Sequence, residues 1–156
     1  VWGERVLLKV IEDDCAPSVE LRPSKLLVRV RSDTDEKTKE AVVAIWYRQL
    51  LKAAAPPLIQ AWEARLAVTV SGFYVRKMKT LWGSCNPRAR TIRLNTELAK
   101  KPKACLEYIV LHEMVHLLEP SHGPKFRVLM DQHMPSWREK RQELNRLPIG
   151  HEDWGY

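Results

Sequence analysis

The stretch between Pro102 and Pro120 constrains this chain more than any other. Cys105, Leu106, Ile109, Val110, Val115, Leu117 and Leu118 form a broad apolar face at helical spacing. Pro102 suits a first helical position, and Pro120 cannot continue a helix. The pattern therefore predicts one helix from about Pro102 to Glu119, with His112-Glu113-Met114-Val115-His116 in its second half. Residues four apart share a helix face, about 6 Å apart along the axis. Imidazoles at 112 and 116 can thus converge on one metal ion. Glu113 is rotated about 100° from His112, so it flanks the ion without binding it. There it can accept a proton from an activated water. The spacing arises by chance in roughly one chain in a hundred of this length and composition, which makes it a specific signal.

A catalytic zinc needs three protein ligands and one open position. His122 follows His116 by six residues, within Pro120-Ser121-His122-Gly123-Pro124, where the chain must turn. It is the predicted third ligand. Glu119 is a second candidate, though a carboxylate at a helix end is more often a surface group. Tyr108 lies one turn before His112 on the same face, so its hydroxyl is a candidate oxyanion donor; the competing reading is simple packing. His133 is a candidate electrophile or supporting group. His151 lies near the end and reads as exposed. Cys105 reads as core.

The rest of the chain reads as scaffold. Residues 4–10 and 26–30 are rich in Val and Leu and predict strands, with turns at Asp13-Asp14, Pro17-Ser18 and Pro23-Ser24. Asp33 or Thr34 can cap a helix beginning near Asp35, which Pro56-Pro57 should interrupt before a new helical start toward Trp62. Residues 67–82 predict one or two strands around Ser71-Gly72. Thr91-Ile92-Arg93-Leu94-Asn95 alternates as a half-buried strand does, which suggests an antiparallel hairpin. A short helical turn at Thr96–Lys100, a helix at 125–133 and a last helix from Ser136 to about Arg146 complete the reading. Ser136 and Glu139 have capping-box spacing. A length of 156 residues fits one domain: a scaffold over 1–66 and a catalytic core over 67–147.

Three scattered cysteines without a Cys-x-x-Cys pair suggest neither a disulfide framework nor a cysteine zinc site, and favour a reducing cytoplasm. No apolar run approaches the ~20 residues that cross a bilayer, so no membrane partner is expected. The net charge of +7 is uneven. Residues 76–103 hold nine basic residues and the single acid Glu97, so they carry +8 and the remainder −1. Such a segment attracts an anionic partner, a nucleic acid or nucleotide, or serves as a solvated set of strand edges.

The residues reached so far form a longer series: Arg76-Lys77-Met78-Lys79-Thr80-Leu81-Trp82-Gly83-Ser84-Cys85-Asn86, then Ile92-Arg93-Leu94-Asn95, then Leu106 to Glu113. His116, His122, Phe126, Met134-Pro135-Ser136-Trp137 and Leu144-Asn145 follow, and the start carries Trp2-Gly3. This resembles the YgjP-like family of zinc metallopeptidases, relatives of the SprT and Wss-type proteases. The resemblance implies an α+β, minimal zincin-like fold: a small mixed or antiparallel sheet packed on an active-site helix, with additional helices. It implies one zinc ion on His112, His116 and His122, with Glu113 as base. It also implies a peptide or protein substrate paired to an edge strand, for which Trp82, Gly83 and Ser84 are candidates, as far as Cys85. Arg76 and Lys79 are candidate substrate contacts of the basic segment. Two rivals use the same residues otherwise: a metal-dependent hydrolase of nucleotide pyrophosphate or phosphoester bonds, and a nucleic-acid-binding protein with a structural zinc.

Overall fold

The computed structural model describes residues 1–146. His151, the tail from Gly150 and the last residue of the expected catalytic core lie outside the described residues. Strands β1 (Leu7–Glu12), β2 (Ser18–Arg22) and β3 (Lys25–Val30) form a first sheet in the order β1-β3-β2. β3 runs parallel to β1 and antiparallel to β2. Its Leu26, Val28 and Val30 are buried at alternate positions, as the pleat requires. β2 lies where the sequence reading had only turns. Its Glu20 and Arg22 are exposed and pair with each other, so it lacks the apolar run that marks a strand.

Helix α1 runs unbroken over Glu36–Leu66. The residue that caps it is Asp35, not Asp33 or Thr34; its carboxylate accepts from the Thr38 N–H at 2.8 Å. Pro56-Pro57 do not interrupt the helix. Both prolines are exposed, as are Lys52 and Ala53, the residues whose carbonyls lose their partners. Water can satisfy those carbonyls, which lowers the cost of an interior proline. The buried face is Leu51, Ala55, Ile59, Trp62 and Leu66, all in the second half. Ile45, in the first half, is exposed.

The second sheet comprises β4 (Gly72–Arg76), β5 (Gly83–Asn86) and β6 (Thr91–Asn95), in the order β4-β6-β5. The antiparallel hairpin is β5–β6, whereas β4 runs parallel to β6. Alternation reveals which side a strand buries and is silent on strand direction. Asn95 organises the end of this sheet. Its Nδ2 donates to the carbonyls of Met78 (2.9 Å) and Leu81 (2.8 Å), and its Oδ1 accepts from the Glu97 N–H (3.1 Å). A fully buried amide so placed fixes the course of residues 78–82 into β5.

A 3-10 turn at Thr96–Lys100 leads to α2 (Lys103–Val115), then α3 (Pro124–His133) and α4 (Trp137–Arg146). α2 is the central element: every residue from Cys105 to Val115 except Glu107 is buried. It packs against α1, α3, α4, β5 and β6. It stops at Val115 rather than at Glu119, and His116 caps it. The N-terminus closes over its start. Trp2 and Gly3 donate backbone bonds to Ala99 and Lys100, and Gly3 adopts φ +86°. A side chain on Gly3 would meet the Pro102 ring at 2.8 Å. Among the described residues no helix is long and apolar enough to cross a membrane.

Candidate metal centre

Three imidazoles meet at the C-terminal end of α2. His112 Nε2 lies 3.1 Å from His122 Nε2, and His116 Nε2 lies 2.9 Å from the same atom. One ligating nitrogen from each ring falls within 4.8 Å of the others. Ligands at 2.0–2.1 Å from a tetrahedral ion stand roughly 3.3 Å apart, close to this arrangement. A hydrogen bond needs one proton per contact, so a single His122 ring nitrogen serves two ring-nitrogen neighbours poorly. A shared cation serves all three, and the donor set suits zinc.

The early end of α2 makes this convergence feasible. After Val115 the chain closes tight turns from Leu117 to Met114 and from Leu118 and Glu119 to Val115. Glu119 then holds the turn that carries His122. Its Oε1 accepts from the Ser121 hydroxyl at 2.8 Å and the Ser121 N–H at 3.2 Å, and Lys125 stands 3.7 Å from its Oε2. The Glu119 side chain is thus a brace, and the three-histidine cluster does not include it. Its carbonyl does a second job, 3.0 Å from His116 Nδ1. A carbonyl only accepts, so the proton sits on Nδ1 and leaves the Nε2 lone pair for a metal.

Burial sets the charge state of the two helix histidines. It pushes the His112 pKa down to about 3, helped by His116, His122 and Arg141. Burial also lowers that of His116. Both rings are neutral at physiological pH, the form that binds a metal. Phe126 is a shared apolar seat. It stacks on His116 at 4.8 Å and meets His112 and His122 edgewise at 4.9 and 5.0 Å. The sequence reading named Phe126 without a role; its ten-residue separation from His116 hides the contact.

Glu113 is 1% exposed and stands against β5. A Cβ on Gly83 would lie 2.7 Å from Glu113 Oε1 and 2.9 Å from Ile109. Gly83 therefore permits the close approach of strand and helix. Beyond it, Ser84 and Cys85 are half-buried, and burial followed by the Glu113 charge pushes the Cys85 thiol up to about 11. Trp82 is in the core, with Lys101 Nζ 5.2 Å from its ring. Tyr108 is buried with its ring edgewise to His112 at 5.8 Å, and burial raises its phenol to about 12. His133 packs against Trp62 at 6.2 Å. Arg76 and Lys79 are exposed, on β4 and on the segment entering β5.

Small mixed sheets against a buried helix that ends in a histidine cluster are the layout of a minimal metallohydrolase. The chain belongs to the YgjP-like family, whose metallopeptidase domain matches residues 1–147. It is therefore a metallohydrolase of the peptidase type. No curated protein matches the sequence. The fold is similar to the crystal structure of the metallopeptidase zymogen of Methanocaldococcus jannaschii jannalysin, with a TM-score of 0.50 and 22% identity over 56% of this chain and 90% of that one.

Proposed function

We propose that the chain hydrolyses peptide bonds at one zinc ion held by His112, His116 and His122, with Glu113 as the general base. Residues 67–147 act as the catalytic part of one domain and residues 1–66 as its scaffold. The observation that carries this reading is the convergence of three imidazoles beside a buried carboxylate that faces an edge strand. A zinc ion held by these residues would supply Lewis acidity, polarising a carbonyl and acidifying water. Glu113 accepts the proton of the attacking water and delivers it to the departing amine. β5 has β6 on one side and no strand on the other among the described residues. An extended peptide added there lies beside Glu113, held by main-chain bonds whatever its sequence. Tyr108 supports the His112 ring from within the core. His133, against Trp62, has the same kind of packing role.

A structural zinc wants four protein ligands, and the cluster has three among the described residues. One observation favours a second reading, hydrolysis of a phosphoester or nucleotide pyrophosphate bond. Lys77 and Lys79 lie on the segment leading into β5, whose Gly83 touches Glu113. Both readings are tested by assaying zinc-loaded protein on a peptide library and on nucleoside triphosphates, with Glu113→Gln in parallel. Peptide cleavage that falls about 10²–10⁴-fold in the variant supports the proposal. Nucleotide cleavage that falls likewise, without peptide cleavage, replaces it with the second reading.

A further inference from the structure

The second sheet has two faces. Phe73, Val75, Ile92, Leu94, Gly83 and Cys85 turn inward, toward α1 and α2. The opposite parity puts Tyr74, Arg93 and Ser84 in one row across all three strands, since Tyr74 and Ser84 both stand opposite Arg93. Arg76 follows two residues along β4 on the same side. Tyr74 is 49% exposed, and its hydroxyl lies 3.9 Å from where a Cβ on Gly72 would sit, so the ring leans along the strand. Both ends of the face are basic. At one, Arg90 and Arg88 leave the β5–β6 turn, with Arg90 Nε donating to the Thr69 carbonyl at 2.8 Å. At the other, Arg76 ends β4, and Asn95 pins the segment Met78–Leu81 over the sheet, which brings Lys79.

No acidic residue occurs between Glu63 and Glu97. None of Arg76, Lys77, Lys79, Arg88 or Arg93 forms an ion pair among the described residues, whereas Arg22, Arg29, Arg31 and Arg138 elsewhere do. A merely solvated lysine-rich edge explains charge. It does not explain an exposed ring opposite an arginine at the centre of the patch.

We propose that this outer face of β4–β6 binds single-stranded nucleic acid. Arg88 and Arg90 at one end and Arg76 and Lys79 at the other neutralise phosphates, and Tyr74, opposite Arg93 in the register, is the platform on which a base stacks. The face extends about 17 Å along the strands and about 10 Å across. Stacking on the ring needs an open base face, which a duplex keeps covered by the neighbouring pairs, so unpaired bases are what reach Tyr74. The partner lies on the side of the sheet away from Glu113, leaving the free edge of β5 to the substrate.

The test is fluorescence anisotropy of labelled single-stranded oligonucleotides with the full zinc-loaded chain. Binding should weaken with salt along a logarithmic slope of about −3, as for four or so neutralised phosphates. Tyr74→Ala should weaken it about tenfold, and Tyr74→Phe should retain it. Arg93→Glu should weaken it more than tenfold, and Lys52→Glu on α1 should leave it within twofold. If Arg93→Glu fails to fold, Arg88→Glu with Lys79→Glu, exposed at the two ends of the face, makes the same test. The proposal is overturned if no oligonucleotide binds, if these variants bind like the wild type, or if a polyglutamate peptide of equal charge binds as tightly and loses nothing in Tyr74→Ala.

Discussion

The chain builds one strand pattern twice and uses it differently each time. In β1–β3 and again in β4–β6 the third strand is central, parallel to the first and antiparallel to the second. The first sheet is thinly backed. Leu7, Leu8 and Val10 of β1 are exposed, and a cleft of about 670 Å³ opens between the sheet and α1, lined by Leu8, Val10, Val28 and Tyr47 among others. The second sheet is backed by α2, whose Glu113 and Ile109 press on Gly83 of the edge strand. Topology alone therefore makes no site. The difference is a buried helix carrying the proposed metal ligands and the proposed base, laid against the edge strand at the one residue without a side chain.

The largest expected effect breaks that helix's contribution. His112→Ala or His116→Ala should lower zinc affinity by more than the roughly 10–100-fold typical of changes around a ligand, and remove turnover. Leu8→Ser on β1 should leave both intact. Metal analysis after gel filtration, with peptide hydrolysis, checks this.

Gly83→Ala sharpens the comparison. The added methyl must displace Glu113 or Ile109, so turnover should fall about 100-fold while zinc stays bound. Val19→Ala on β2, the corresponding strand of the first sheet, should leave turnover unchanged. Equal effects from the two substitutions would remove the distinction between the sheets.

Acid should weaken the metal-free protein. His112 has a folded pKa of about 3 against an ordinary 6.5, so between these values the unfolded chain binds more protons. Stability is then complete above pH 6.5 and declines as pH falls, with a slope approaching about 1.4 kcal/mol per pH unit for one such group. Urea midpoints of chelator-treated protein at pH 7.5, 6 and 5 should show this, and His112→Asn should flatten it. An unchanged slope in the variant would assign the acid sensitivity elsewhere. The smallest effect belongs to the first sheet: Val10→Thr on exposed β1 should shift stability by no more than about 0.5 kcal/mol.

The histidine cluster was the more legible part of the chain because its signals are local. A four-residue spacing on a helix, a proline stop and a histidine in a Gly-Pro turn are all read within a dozen residues. The short turn at Thr96–Lys100 and the helices at 124–133 and 137–146 were legible for the same reason. The misses are non-local or masked by composition. β2 hides in polar residues, and the parallel pairing of β4 with β6 leaves no mark on alternation. Pro56-Pro57 read as a break because sequence does not reveal that their side of α1 faces water. Phe126 beneath the three rings and Gly83 against Glu113 are contacts between elements, which no spacing announces.

The most direct test of the central claim is zinc K-edge X-ray absorption on protein loaded with one equivalent of zinc. The account predicts three imidazole nitrogens at about 2.0–2.1 Å and one oxygen from solvent. A sulfur neighbour at about 2.3 Å, or a fourth protein ligand closing the open position, would contradict it.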